Sequence, residues 1–123
     1  MTLDALREFC LSLPHATEDI KWGSELTFCV GRKIFAMASM KPGENGVVCF
    51  KVTPDDFVSL IEYDGIIPAP YVARYHWILI EDPDAMKAAE LKRRLSESHA
   101  RVLDSLTRKV RTEHGIPPKQ KSK

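Results

Sequence analysis

The sequence predicts an α+β fold: one two-layer domain in which a curved antiparallel sheet packs one face against helices. Three observations predict it. Leu26 to Val52 holds three short strand-like apolar segments separated by the turn-forming Gly31–Arg32 and Lys41–Gly46, the pattern of consecutive antiparallel strands. Apolar residues at helical spacing flank that segment on both sides, at Leu3–Leu13 and at Met86–Val110. The chain has 123 residues of which 44% are hydrophobic, enough for one ordinary core and too few for two. The sheet face and the helix faces therefore have only each other as burial surfaces.

Leu3, Leu6, Phe9, Cys10 and Leu13 recur at helical intervals, Thr2 can cap the first turn, and Pro14 discourages continuation; a first helix is expected over residues 3–13. Leu26, Phe28 and Val30 then share one side of a strand and Thr27 and Cys29 the other. Gly31–Arg32 turns the chain into a strand over Lys33–Met40, and Lys41–Gly46 turns it into another over Val47–Val52. Thr53, Pro54, Asp55 and Asp56 combine a cap, a favourable first helical proline and acids at the positive end of a helix dipole. Phe57, Leu60 and Ile61 give that second helix its apolar face, and Tyr63–Gly65 ends it. Ile66–Pro70 cannot extend that helix smoothly, and His76–Glu81 reads as a further strand. Asp82–Pro83–Asp84 starts one long final helix that Gly115 and Pro117 stop. The domain is thus expected over residues 1–115, with 116–123 a basic disordered tail.

Charge gives no strong functional direction. Eighteen basic and 17 acidic residues leave a net charge of +1, and without Lys119, Lys121 and Lys123 the body carries 15 basic against 17 acidic residues. Nucleic-acid binding would need a local cationic patch. The N-terminal residues have neither the cationic nor the long apolar region of a secretion signal, and no apolar run is long enough to cross a bilayer, so a cytoplasmic location and no membrane partner are expected. Cys10, Cys29 and Cys49 are odd in number and lie beside Phe9, Phe28 and Phe50, which reads as buried free thiols.

Residues Pro68 to Trp77 concentrate recognition chemistry: a stiff backbone, aromatic rings, an imidazole and a cation. Tyr71, Arg74, His76 and Trp77 are candidates there, joined by Trp22 and by Lys51. Lys51 and Arg74 can neutralise a phosphate or carboxylate, and Tyr71 and Trp22 can stack on a base or cover an apolar partner surface. The plainer expectation for Trp22 and Trp77 is packing, and for His76 a structural hydrogen bond. On the last helix Arg93, Arg94, Arg101, Arg108, Lys109 and Arg111 interleave with Glu90, Glu97 and Asp104, which reads as a solvated, ion-paired helix. No catalytic residue, metal site or cofactor is expected. His15 falls in a turn near Glu18 and Asp19 without a second histidine or cysteine at ligand spacing, and no phosphate-cradling glycine loop precedes a helix.

Several short fragments, in order, carry a resemblance. They are Leu13–Glu18 with Trp22, the Phe28–Val30 strand, Lys33–Ala36, Lys51 before Pro54, Pro70–Tyr71, Arg74–Trp77, and Ser98–His99 with Leu103. Together, from about Leu3 to Val110, the chain resembles the MmcQ/YjbR family of small bacterial proteins. That resemblance implies a fold related to type III secretion chaperones and the frataxin-like CyaY, with a curved antiparallel sheet of about five strands, which places a short strand within Ile66–Tyr71, where Pro68 and Pro70 suit an edge or a loop. It also implies DNA binding through a double-wing motif. Under that reading the turn residues Arg32 and Lys33, the Lys41–Asn45 loop and Lys51 touch phosphate, with weak or sequence-nonselective binding. The competing expectation is a non-enzymatic adaptor that binds a peptide or protein beside an exposed strand edge, using Tyr71, Arg74 and Trp77. A monomer or weak homodimer fits either.

Overall fold

A computed structural model describes residues 1–119. Its elements run α1 (Leu3–Ser12), β1 (Ala16–Lys21), β2 (Glu25–Val30), β3 (Lys33–Ser39), β4 (Val48–Lys51), α2 (Pro54–Leu60), β5 (Ile66–Pro68), β6 (Trp77–Ile80), α3 (Ala88–Ser105) and α4 (Arg108–Glu113). The six strands form one antiparallel sheet in the order β1-β2-β3-β4-β6-β5. This is the α+β architecture that the sequence predicts, with one more strand.

The additional strand is β1. It pairs along its whole length with β2, from Ala16 opposite Val30 to Lys21 opposite Glu25. Its residues Thr17, Glu18, Asp19 and Lys21 are polar because it is an outer strand, so it lacks the apolar alternation that betrays its neighbours. The short strand expected within Ile66–Tyr71 is β5, at the opposite edge, where Pro68 needs no ladder partner on its free side.

The single long final helix is corrected to two. Leu106 leaves α3 in an extended conformation, and the Thr107 hydroxyl accepts from the Val110 N–H at 3.2 Å, which starts α4. The break is held by Arg111, which is only 7% exposed. Its guanidinium donates to the carbonyls of Leu103 (2.5 Å), Leu106 (3.2 Å) and Pro117 (2.9 Å), supplying donors at the negative end of α3. The start moves as well: Asp82–Pro83–Asp84 opens one 3-10 turn, and α3 begins only at Ala88. The packed chain also continues past 115, since Ile116 is buried in the core and Lys119 reaches Asp104 at 2.9 Å. Residues 120–123 of the expected tail lie outside the described residues.

One face of the sheet carries the core. Leu26, Phe28, Ala36, Ala38, Val48, Phe50, Ile78 and Ile80 share it by register and are buried against Leu6 and Cys10 of α1, Leu60 of α2 and Leu91, Leu95 and Val102 of α3. A bulge at Phe28/Cys29 adds Phe35 to the same side. Ser98 donates to the Phe35 carbonyl at 2.7 Å, and His99 stands edge-on to the Phe35 ring at 5.1 Å. His99 Nε2 donates to the Pro14 carbonyl at 2.8 Å, which ties α3 to the turn before β1. Gly31 and Arg32 both have positive φ, as a tight two-residue hairpin requires. A Cβ at Gly31 would meet Leu106 Cδ1 at 2.7 Å, so glycine also lets this turn close onto the α3–α4 break.

Candidate functional site: a groove on the open sheet face

The strand residues between the core positions face the other way. Thr27, Met37, Cys49, Leu79 and Ile67 stand opposite one another in a row across β2, β3, β4, β6 and β5. Met37, Cys49 and Leu79 floor a groove of about 710 Å³ on this second face. Trp22, in the β1–β2 turn, lines it from one side, and Pro70, Tyr71 and Val72, in the β5–β6 connection, line it from another. Glu25, Ser39, Lys41 and Glu44 supply its polar end. A mostly apolar hollow of this size with a few polar groups is the ordinary form of a binding site.

The two rim aromatics are exposed and conformationally unusual. Trp22 is 71% exposed and Tyr71 fully exposed, and both have positive φ, +53° and +69°. A bulky side chain in left-handed backbone costs on the order of 1–3 kcal/mol. Gly23, also at positive φ, follows Trp22, so the turn projects the indole outward rather than folding it into the core. The expectation that Trp22 packs is therefore corrected.

At the polar end Ser39 Oγ donates to Glu44 Oε1 at 2.6 Å. Burial pushes the Glu25 carboxyl up from its ordinary range, with Lys41 opposing and Glu44 reinforcing the shift. Burial likewise holds the Cys49 thiol up to about 12, which favours its neutral form on the groove floor.

Of the residues singled out in sequence, the groove brings together Trp22, Lys41 and Tyr71. Lys51 and Trp77 are opposite each other at the β4–β6 pair, one step along the same face from Cys49 and Leu79. Arg74 is exposed and lies over the Tyr75 ring at 4.8 Å. His76 instead packs edge-on against Phe57 of α2 at 5.7 Å. Arg32 and Lys33 are not part of the assembly. Arg32 pairs with Glu113 at 2.5 Å and Lys33 donates to Ser105 at 3.2 Å, which binds the β2–β3 turn to α3 and α4, at the end of β3 away from Lys41. On the last helices Arg93 pairs with Glu90 and Glu97, Arg94 pairs with Glu90 and Asp56, and Arg111 is buried, while Arg108 and Lys109 of α4 are exposed. Among the described residues no cluster of His, Cys, Asp and Glu is placed to hold a metal.

Met37, Cys49, Leu79 and Glu25 were not anticipated as site residues. Their signal lay in the near-continuous apolar runs Ile34–Ala38, Val47–Phe50 and Trp77–Ile80, which mark strands with apolar demand on both faces.

The YjbR family sequence model matches residues 11–101. The chain belongs to the YjbR family. The match spans the α1–β1 turn, the whole sheet and the Ser98–His99 anchor of α3. Among solved structures, the Deinococcus radiodurans protein DR2400, with its DUF419 domain, is similar at TM-score 0.79 and 26% identity, covering 94% of this chain and 89% of that one. A Pseudomonas syringae protein shares the fold at TM-score 0.65 and 20% identity, covering 83% of this YjbR chain and 99% of the other. No curated protein matches it. Among the described residues of this YjbR chain, no helix is long and apolar enough to cross a membrane.

Proposed function

We propose that this YjbR-family chain is a non-enzymatic binding module that takes an extended, apolar segment of a partner protein into the groove on the open sheet face. The observation that carries the reading is the pair Trp22 and Tyr71, two exposed aromatics on strained backbone beside one apolar floor. Backbone strain is retained where surrounding structure enforces it, commonly at binding sites, and exposed aromatics are the usual anchors of protein interfaces. The polar end supports a polypeptide occupant, since two carboxylates and one lysine, Glu25, Glu44 and Lys41, can satisfy polar groups of either sign.

DNA binding, which the family resemblance implies, is the less supported reading. A phosphate backbone needs contiguous cations, whereas Arg32 and Lys33 are engaged with Glu113 and Ser105 and Lys41 shares its groove with two carboxylates. The test is selection from a random peptide library on the immobilised protein, alongside fluorescence anisotropy with single- and double-stranded DNA at rising salt. The proposal expects aromatic- or aliphatic-anchored peptides whose binding resists salt and is lost in a Trp22→Ala/Tyr71→Ala variant. Salt-sensitive DNA binding with no peptide enrichment would overturn it.

A further inference from the structure

The outer strand β1 is bonded to β2 on one side only, which leaves a six-residue edge. Such an edge is a template for another strand unless its side chains prevent pairing. Here the sequence of the edge decides which strand fits.

The orientation of the edge follows from one contact. The Thr27 hydroxyl of β2 donates to the Asp19 carbonyl at 2.9 Å, so the Asp19 peptide oxygen is turned toward β2. Backbone groups alternate in direction along a strand, which turns the N–H and C=O of Ile20 and Glu18 toward the free edge. Ile20 is also 55% exposed, and it lines a hollow of about 520 Å³ with Leu3, Leu26 and Met40 beside the same edge.

A second copy related by a two-fold axis through Ile20 meets these constraints. The two Ile20 residues become a hydrogen-bonded pair that exchanges both N–H···O=C bonds, and their side chains meet on the helix-covered side. One step outward, on each side of the axis, Asp19 stands opposite Lys21. Those positions form non-hydrogen-bonded pairs, where side chains approach most closely. The register therefore makes two opposite-charge pairs and one apolar pair from residues that are unpaired in the single chain: among the described residues neither Asp19 nor Lys21 makes an ion pair. Moving the axis to Asp19 would place two Asp19 carboxylates opposite each other, and moving it to Glu18 would do the same with Glu18. Charge complementarity thus selects the Ile20 register over its neighbours.

We infer that β1 is a homodimer interface, in which two chains pair antiparallel about Ile20 and join their sheets into one of twelve strands. The two-fold axis stands perpendicular to the joined sheet, so the two open faces lie on the same side of it, and the register brings Trp22 at the rim of each groove beside Glu18 of the second copy. The dimer would therefore present two grooves on one side, running in opposite directions.

Sedimentation velocity and native mass spectrometry over a concentration series test this, with Asp19→Lys and the exchanged Asp19→Lys/Lys21→Asp variant. The inference expects a species at twice the 13.9 kDa chain mass. It expects dimerisation to weaken by about tenfold in Asp19→Lys, where lysines face lysines across the axis, and to return in the exchanged variant. Circular dichroism checks that both variants are folded. A chain that stays monomeric up to high concentration, or a dimer indifferent to Asp19→Lys, overturns the inference.

Discussion

The two faces of the sheet are built from the same strands yet solve opposite problems. On the helix-covered face Phe28, Phe50 and Ile78 are completely buried within one cluster shared by helices and strands. On the open face, residues one position along, Met37 and Leu79, remain partly exposed, and the aromatics beside them are strained. One face is organised for stability, with rigid anchors such as His99 to Pro14 and Ser98 to Phe35. The other keeps apolar area available. Period-two alternation makes this division possible, because a substitution on one face leaves the other face's side chains in place.

The largest expected difference between the faces is in stability. Phe50→Ala should cost about 3–5 kcal/mol through lost burial and the cavity left behind. Leu79→Ala, at a half-buried position that opens into the groove, should cost about 1–2 kcal/mol. Urea denaturation of both variants measures the contrast. Equal losses would mean that the open face is a second core.

A smaller effect separates stability from binding at a single residue. Tyr71→Gly removes a side chain that makes no buried contact and relieves a φ of +69°, so stability should hold or rise by up to about 1 kcal/mol. Peptide affinity should fall nonetheless, by about 1–2 kcal/mol if Tyr71 is an anchor. A variant that loses stability and keeps its affinity would move Tyr71 out of the site and into the fold.

The smallest effects concern the thiols. Burial raises both Cys10 and Cys49 from 9.0 to about 12, while Cys29 is raised less and is more exposed. Alkylation at pH 8 should therefore modify Cys29 first, as mass spectrometry of timed samples can show. Above pH 9 an unfolded chain ionises its thiols while the folded chain keeps Cys10 and Cys49 protonated. Their contribution to stability is full below about pH 9 and is lost as pH rises toward 12. Cys49→Ser should flatten part of that decline in alkaline denaturation curves.

Much of the fold could be read from the residues because local and global signals agree there. The Thr2 and Thr53 caps, the Gly31–Arg32 turn and the strand-length apolar segments of β2 to β4 all point to the structure that forms. β1 was hidden because a solvent-facing edge has no apolar pattern to show. The α3–α4 break was hidden because neither glycine nor proline marks it; it depends on Arg111 folding back onto the Leu103 and Leu106 carbonyls, a contact of tertiary structure. The site was half visible. Tyr71 and Trp22 stand out as aromatics near turns, but their exposure depends on left-handed backbone that sequence spacing does not disclose. Arg32 and Lys33 looked free in sequence because their partners, Glu113 and Ser105, lie more than 70 residues away.

The central claim is that recognition belongs to the open face and structure to the covered one. Backbone and methyl NMR spectra, recorded while a library-selected peptide is titrated into the labelled protein, test it most directly. The account predicts shifts concentrated at Trp22, Met37, Cys49, Tyr71 and Leu79, with Leu6, Leu91 and Leu95 of the covered core unmoved. Shifts gathered instead at Arg101, Arg108 and the Arg32–Lys33 turn, with none in the groove, would contradict it.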